Sequence, residues 1–304
     1  MIVTKRVALN TAILPASIFG DAPFRFTDWS VELPRTIVEE ISALLKTFLD
    51  EMGCAPEGTF FRIDAYFDPQ AETISILELS TQYVDGWGIG LCLSRAAGRP
   101  LSLTHAFPKT WVLDNPSYGP EIELECREIA LASDGVTQPR FIQPEQLDGE
   151  APVYWYGWRA PQEERFQPAH GYALEDKINL LRLSRRWQGQ HVLIPTLVTT
   201  EECAWEDLVL PVVFKNRRKN KGIYGNVAFS DTPEGQGKSA QRAYRRGEAV
   251  AQAAVEPFRI EGCPTQIEIL CAGTLPITGY LLLGDPDTRV LNDRVQHGPL
   301  FFLP

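Results

Sequence analysis

Two carboxylates stand where they could act together. Asp64 and Glu78 flank a polar turn in FFRIDAYFDPQAETISILELSTQYVDGWGIG, residues Phe60 to Gly90. Apolar and polar residues alternate on both sides of Asp68-Pro69, which predicts a β-hairpin. On the first strand Phe61, Ile63, Ala65 and Phe67 share one face, and Arg62 and Asp64 the other. On the second, Leu77 and Leu79 share one face, and Glu78 and Ser80 the other. Closure about Ala71 sets Asp64 opposite Glu78 and Arg62 opposite Ser80. Like charges directly opposite on a sheet cost a few tenths to about 1 kcal/mol. A divalent cation with oxygen ligands would offset that. So would a solvated face whose carboxylates pair with Arg62 or nearby basic residues.

A second set lies in PVVFKNRRKNKGIYGNVAF. Lys215 ends an apolar strand, and a basic loop with Gly222 and Gly225 leads to a returning strand. Such a hairpin can cover a polyphosphate, because glycines admit close backbone approach and the lysine supplies a point charge. It also suits a solvated basic loop, and it matches neither a Walker loop nor a GxGxxG. Gln252 and Glu256, in AVAQAAVEPF, could meet an adenine or ribose edge. Asn292, Arg294 and His297, in LNDRVQHGP, suit a phosphate or metal contact or an ordinary turn.

These residues need elements to hold them. PRTIVEEISALLKTFLDEMG predicts a helix opening at Pro34 and stopping at Gly53. Its apolar stripe is Ile37, Ile41, Leu44, Leu45, Phe48 and Leu49. TWVLDN, PEIELECREIALASDG and PVYWYGW read as strand, helix and strand, a small βαβ-like unit. LEDKINLLRLSRRW reads as a helix from Leu174, and VLIPTLVTT as a strand interrupted by Pro195. VLPVVFK and YGNVAFS read as a hairpin, SAQRAYRRGEAV as helical, and TQIEILCAG and ITGYLLLG as strands. The fold class is therefore α/β (α+β).

The chain has 304 residues, with 44% hydrophobic and 22% charged, an ordinary globular balance. Its net charge of -10 and pI of about 5.0 argue against a nucleic-acid or anionic-membrane partner. The six cysteines form no CxxC pair and no zinc spacing. Reduced, mostly buried thiols and a cytoplasmic location are the expectation. No stretch approaches the roughly 20 apolar residues of a membrane span.

Taken together these segments resemble the ATP-grasp family, in rotated order. Glu175 to Pro304 resembles the first part of that family's core through Lys177, Lys215, Gln252, Glu256 and Asn292. Arg62-Ile63-Asp64 and Leu77-Glu78-Leu79-Ser80 resemble its last part, an R-x-D strand and an L-E-x-N strand that hold magnesium. Here the last part stands at the N-terminus. The resemblance implies a circularly permuted ATP-grasp core: permuted metal-binding strands in 1–99, a small pre-ATP-grasp α/β domain in 100–172, and the nucleotide-binding part in 173–304. It implies ATP and Mg2+ as cofactors, with Asp64, Glu78 and Ser80 on the metal and Lys177, Lys215, Gly222, Gly225, Gln252, Glu256 and Asn292 on the nucleotide. Arg62 and Arg294 would steady the transferred phosphoryl group. The implied activity is a carboxylate ligase acting on a small molecule or peptide through an acyl phosphate, with an amine or thiol acceptor. A nucleotide-binding protein without ligase activity and an ATP-dependent kinase are the alternatives. Ser80 departs from the family, which has Asn at that place.

Overall fold

The computed structural model describes residues 1–19, 22–81, 84–104, 107–113, 115–149, 152–157, 166–167, 174–209, 211–217, 227–233, 238–288 and 295–304. Helix α1 (Arg35–Met52) follows Pro34 and ends at Gly53, whose φ of 65° is left-handed. Its six buried residues are those of the predicted stripe. They cover one face of a large mixed sheet. Phe61, Ile63, Ala65, Ile267, Ile269 and Leu281 from that sheet join them in one apolar cluster.

The large sheet runs, edge to edge, through Val3–Arg6, Trp29–Leu33, Gln296–Phe302, Leu275–Leu283, Cys263–Ala272, Phe60–Asp68, Thr73–Ser80 and Val192–Leu193. Three C-terminal strands therefore sit between two pairs of N-terminal strands. Gln296–Phe302 lies parallel to Trp29–Leu33, and Cys263–Ala272 lies antiparallel to Phe60–Asp68. The final strand falls in a stretch read from the sequence only as a turn. Its buried run from His297 to Phe301 shows why: it is covered on both faces and gives no alternation.

The other face of the large sheet is covered by α2 (Trp87–Ala96), α3 (Gly119–Ala132) and a second sheet. That sheet has the order Phe166–Gln167, Val153–Tyr156, Thr110–Leu113, Arg140–Ile142, all parallel. This is the expected βαβ unit, with α3 as the crossover. Trp111 stacks on Tyr154 at 4.1 Å between ring centroids, and Phe60 meets Trp87 edge-on. These rings are core, not pocket lining. A third sheet is antiparallel, in the order Leu197–Val198, Ala249–Ala253, Val212–Asn216, Val227–Phe229. It is capped by α5 (Lys238–Arg245) through Tyr244 and Phe214. Pro195 splits VLIPTLVTT, so Val192–Leu193 joins the large sheet and Leu197–Val198 the third. Helix α4 (Lys177–Arg186) packs against Leu197–Val198 of the third sheet and Thr73–Ser80 of the large one.

All six cysteines are free; Cys92, Cys126 and Cys271 are buried and the other three half-buried. Among the described residues no helix is long and apolar enough to cross a membrane.

Leu44 is fully buried in the α1 stripe, whereas Lys46 is exposed. Leu44→Ala is expected to lower stability by about 2–5 kcal/mol and Lys46→Ala by less than about 0.5 kcal/mol in urea unfolding. Equal losses would mean that the stripe is not what docks the helix.

Candidate active site

The hairpin closes in the expected register, with Arg62 opposite Ser80 and Asp64 opposite Glu78. Next to Asp64 the register shifts by a β-bulge, which the sequence pattern did not foresee. On its other side Asp64 faces Glu268, and Glu268 faces Tyr280. One row across four strands thus reads Glu78, Asp64, Glu268, Tyr280. Facing residues have Cβ atoms about 4.5–5.5 Å apart, so three carboxyls sit side by side on a largely buried face.

The charges in this row are matched by protein cations. Arg62 Nε donates to Asp64 Oδ1 at 3.0 Å, and lies 3.4 Å from Glu268 Oε2. Its Nη1 donates to Asp85 in a short contact. The Tyr280 hydroxyl donates to Glu268 at 2.5 Å. Glu78 accepts from Lys177 Nζ at 2.9 Å, and Lys215 Nζ donates to the Leu77 carbonyl at 2.7 Å. The two lysines come from different elements. Lys177 opens α4, whose N-cap Asp176 accepts from the Ile178 amide at 3.0 Å. Lys215 comes from the third sheet. Arg217, two residues on, grips Asp176 at 2.9 and 3.1 Å and so ties that sheet to α4.

Burial and charge pull the facing carboxyls apart. Burial presses Glu78 toward its neutral form, but Lys177 and Lys215 outweigh it and hold the carboxyl below its ordinary value. Burial, reinforced by Glu268 and Glu78, raises Asp64 to about 7 against the pull of Arg62. Asp64 is thus the one of the pair that takes a proton first. Burial lowers Lys215 to about 8, and Lys177 pushes the same way.

Of the other sequence candidates, Gln252 is 2% exposed, and its amide nitrogen has no hydrogen-bond partner. It lies on the same strand face as the neighbours of Lys215, since Val213 pairs with Gln252 and Lys215 with Val250. Glu256 is exposed beyond that strand. Ser80 is buried one row along from Glu78, opposite Arg62. Gly222, Gly225, Asn292 and Arg294 lie outside the described residues. His297 is buried beside the Tyr280 end of the row, its ring centroid 5.6 Å from that of Tyr280, and burial pushes its imidazole down to about 4.

Sequence reasoning missed Asp85, Glu268 and Tyr280. Glu268 had a signal, a single charge inside the apolar strand TQIEILCAG. Asp85 had none, because its role depends on a loop anchored from elsewhere. The following GWGIG segment forms the buried start of α2. Gly86 has a φ of 99°, and a Cβ there would stand 2.4 Å from the Tyr280 hydroxyl. A Cβ at Gly88 would meet the α3 backbone at 2.7 Å. The glycines serve helix and sheet contact rather than a ligand. Glu125 of α3 accepts from the Gly86 amide at 2.7 Å and from the Gly88 amide in a shorter contact, and Tyr154 donates to the Val84 carbonyl at 2.7 Å. These bonds fix the loop that carries Asp85.

Solved structures share this architecture. A glutathione synthetase-like effector from Globodera pallida, in its apo form, superposes with a TM-score of 0.51 at 11% identity, covering 93% of this chain and 91% of that one. A provisionally assigned gamma-glutamylcysteine synthetase from Methylobacillus flagellatus gives 0.49 at 8% identity, covering 98% and 90%. The second likeness is too slight to build on. No protein-family model matches the chain, and no curated protein does. The α+β fold is thus similar to that of the glutathione synthetase-like effector.

The donors suit magnesium in kind. Asp64 and Glu78 are adjacent hard oxygen ligands, and two ammonium heads beside them suit phosphate. Among the described residues no three acidic, His or Cys side chains gather closely enough to hold a metal by themselves. The remaining oxygens would come from phosphate and water, which magnesium readily keeps.

Two outcomes follow from the loop anchor. Burial raises Glu125 to about 8 from an ordinary 4.5, while the Gly88 and Gly86 amides pull it down. A raised acid holds its extra proton in the folded state, so this group costs stability as pH climbs from 4.5 to 8. Glu125→Gln is expected to flatten that fall, by up to about 1.4 kcal/mol per pH unit, in urea unfolding across the window. An unchanged slope would refute it. Gly86→Ala should destabilise by more than about 1 kcal/mol, since the left-handed backbone and the Tyr280 contact both oppose a side chain.

Proposed function

We propose that the protein is an ATP- and magnesium-dependent carboxylate ligase. The observation that carries this reading is the convergence of Lys177 on Glu78 and of Lys215 on the neighbouring Leu77 carbonyl, from two separate elements, beside Asp64 and Arg62. The glutathione synthetase-like fold supports a ligase of this general kind.

In this reading the γ-phosphoryl group of ATP passes to a substrate carboxylate, giving an acyl phosphate and ADP. An amine or thiol then attacks the acyl carbon and phosphate leaves. Lys177 and Lys215 hold phosphate oxygens, and Gln252 presents its amide to the base, with Glu256 toward the ribose. Gly222, Gly225 and Asn292 complete the nucleotide site. Arg62, with Arg294, neutralises charge on the transferred group. Asp64 and Glu78, with Ser80 as a further oxygen, would hold magnesium, which when bound would supply positive charge against the phosphates. Such chemistry asks the protein mainly for position and charge. The acid is a small molecule or a peptide. Circular permutation accounts for the placing of the metal-binding hairpin at the N-terminus, and the interleaving of first and last strands supports it.

A second reading is nucleotide binding without turnover. Ser80 in place of the expected Asn favours it.

Trapping with hydroxylamine separates these. A ligase gives a hydroxamate from its acid substrate and ATP; a kinase acting on a hydroxyl gives none, and a pure binder consumes no ATP. Lys215→Ala should weaken binding of magnesium–ATP by about 10- to 100-fold in calorimetry, the loss of a charge-assisted contact. Unaltered binding would move the phosphates elsewhere.

A further inference from the structure

We infer that Glu78 makes this site select a metal–nucleotide complex over free nucleotide, by occupying the phosphate-binding Lys177 until a divalent cation takes its charge. The inference rests on the nucleotide reading above and concerns the role of one residue within it.

The lysines that would meet phosphate are not waiting in solvent. The Lys177 side chain is 6% exposed and its Nζ lies 2.9 Å from Glu78 Oε1. Lys215 is 8% exposed, with its Nζ bonded to the Leu77 carbonyl of the same strand. Arg62 is likewise held by Asp64, Asp85 and Glu268. Among the described residues these three cations are therefore each engaged, by a carboxylate or by a strand carbonyl.

Consider each ligand arriving by itself. A polyphosphate would have to draw Lys177 from Glu78 and would then stand against a half-buried carboxylate, 21% exposed, that has lost its hydrogen-bonded cation. Breaking one side of a buried ion pair is costly for that reason. A divalent cation would meet Glu78 with two ammonium groups beside it. Arriving together they exchange partners: lysine to phosphate, carboxylate to metal, with every charge still paired. Glu78 thus has two roles, metal ligand in the filled site and competitor of phosphate in the empty one.

This gives Glu78→Gln an unusual expected phenotype. A metal ligand alone would, when lost, leave metal-free binding unchanged. A competitor, when lost, makes metal-free binding tighter. The probe is a non-hydrolysable ATP analogue, titrated calorimetrically with magnesium and with a chelator. The wild type should bind the metal-free analogue on the order of 100-fold more weakly than the magnesium complex. Glu78→Gln should bind the metal-free analogue at least about 10-fold more tightly than the wild type does, and magnesium should no longer help much. Glu78→Ala removes the same charge with a different side chain, and must move metal-free binding in the same direction. If the wild type binds the magnesium complex but neither variant tightens metal-free binding, the competitor role is wrong and the nucleotide site stands. If no form binds the analogue under either condition, the nucleotide reading fails and this inference falls with it.

Discussion

A carboxylate on a buried sheet face has to be matched in charge, and much of this architecture follows from matching Glu78. One counter-charge comes from the first residue of α4 and a second from the middle of the third sheet. Neither can reach the hairpin unless both elements dock against the edge that carries Glu78. Arg217 and Asp176 then fasten those elements to each other. Buried ion pairs contribute little net stability, because desolvation offsets attraction. They do penalise every arrangement in which a partner is missing. The joint between the sheets is therefore specified by charge, while the apolar cluster beneath it supplies the driving force.

The same logic runs along the row to the other layer. Asp64 and Glu268 need Arg62, and Arg62 is also held by Asp85, from the loop before α2. That loop is bonded to Glu125 and Tyr154 of the parallel-sheet unit. Packing around Trp87, Trp111 and Tyr154 thus helps to fix the direction of a guanidinium on the large sheet. Each layer supplies a partner to one row of side chains, so a disturbance in any layer is felt there.

Much of this was legible from local pattern. The α1 stripe and its glycine stop, the hairpin with Asp64 opposite Glu78, and the βαβ segment all follow from periodicity and turn residues over short windows. Lys215 was legible as a lysine closing an apolar strand. What was not legible depends on distant neighbours. The protein cations that meet Asp64 and Glu78 are Arg62, Lys177 and Lys215, and only Arg62 lies on the hairpin. Asp85 and Glu268 join the row through a loop anchor and a strand some 200 positions away in sequence. The glycines of GWGIG could signal ligand approach or tight packing, and only the neighbouring backbone of α3 decides between them.

Register carries the rest of the argument. Side chains alternate with period two, so a one-residue slip of Phe60–Asp68 would turn Arg62 and Asp64 into the α1 cluster and Ile63 into the charged row. The fold resists that slip from both sides. Phe61, Ile63 and Ala65 are fully buried against α1, and Arg62 is engaged by three carboxylates on the opposite face. The bulge between Asp64 and Ala65 falls at the point where the charged row gives way to the apolar end of the hairpin. Bulges bend and twist a strand locally and recur beside functional sites. Here it changes the pairing beyond Asp64 while leaving Asp64 opposite Glu78. The site therefore does not depend on the order in which the chain supplies its strands. It depends on the four strands of the row, α4, Val212–Asn216 and the Asp85 loop meeting in one place, which apolar burial on one face and charge on the other enforce together.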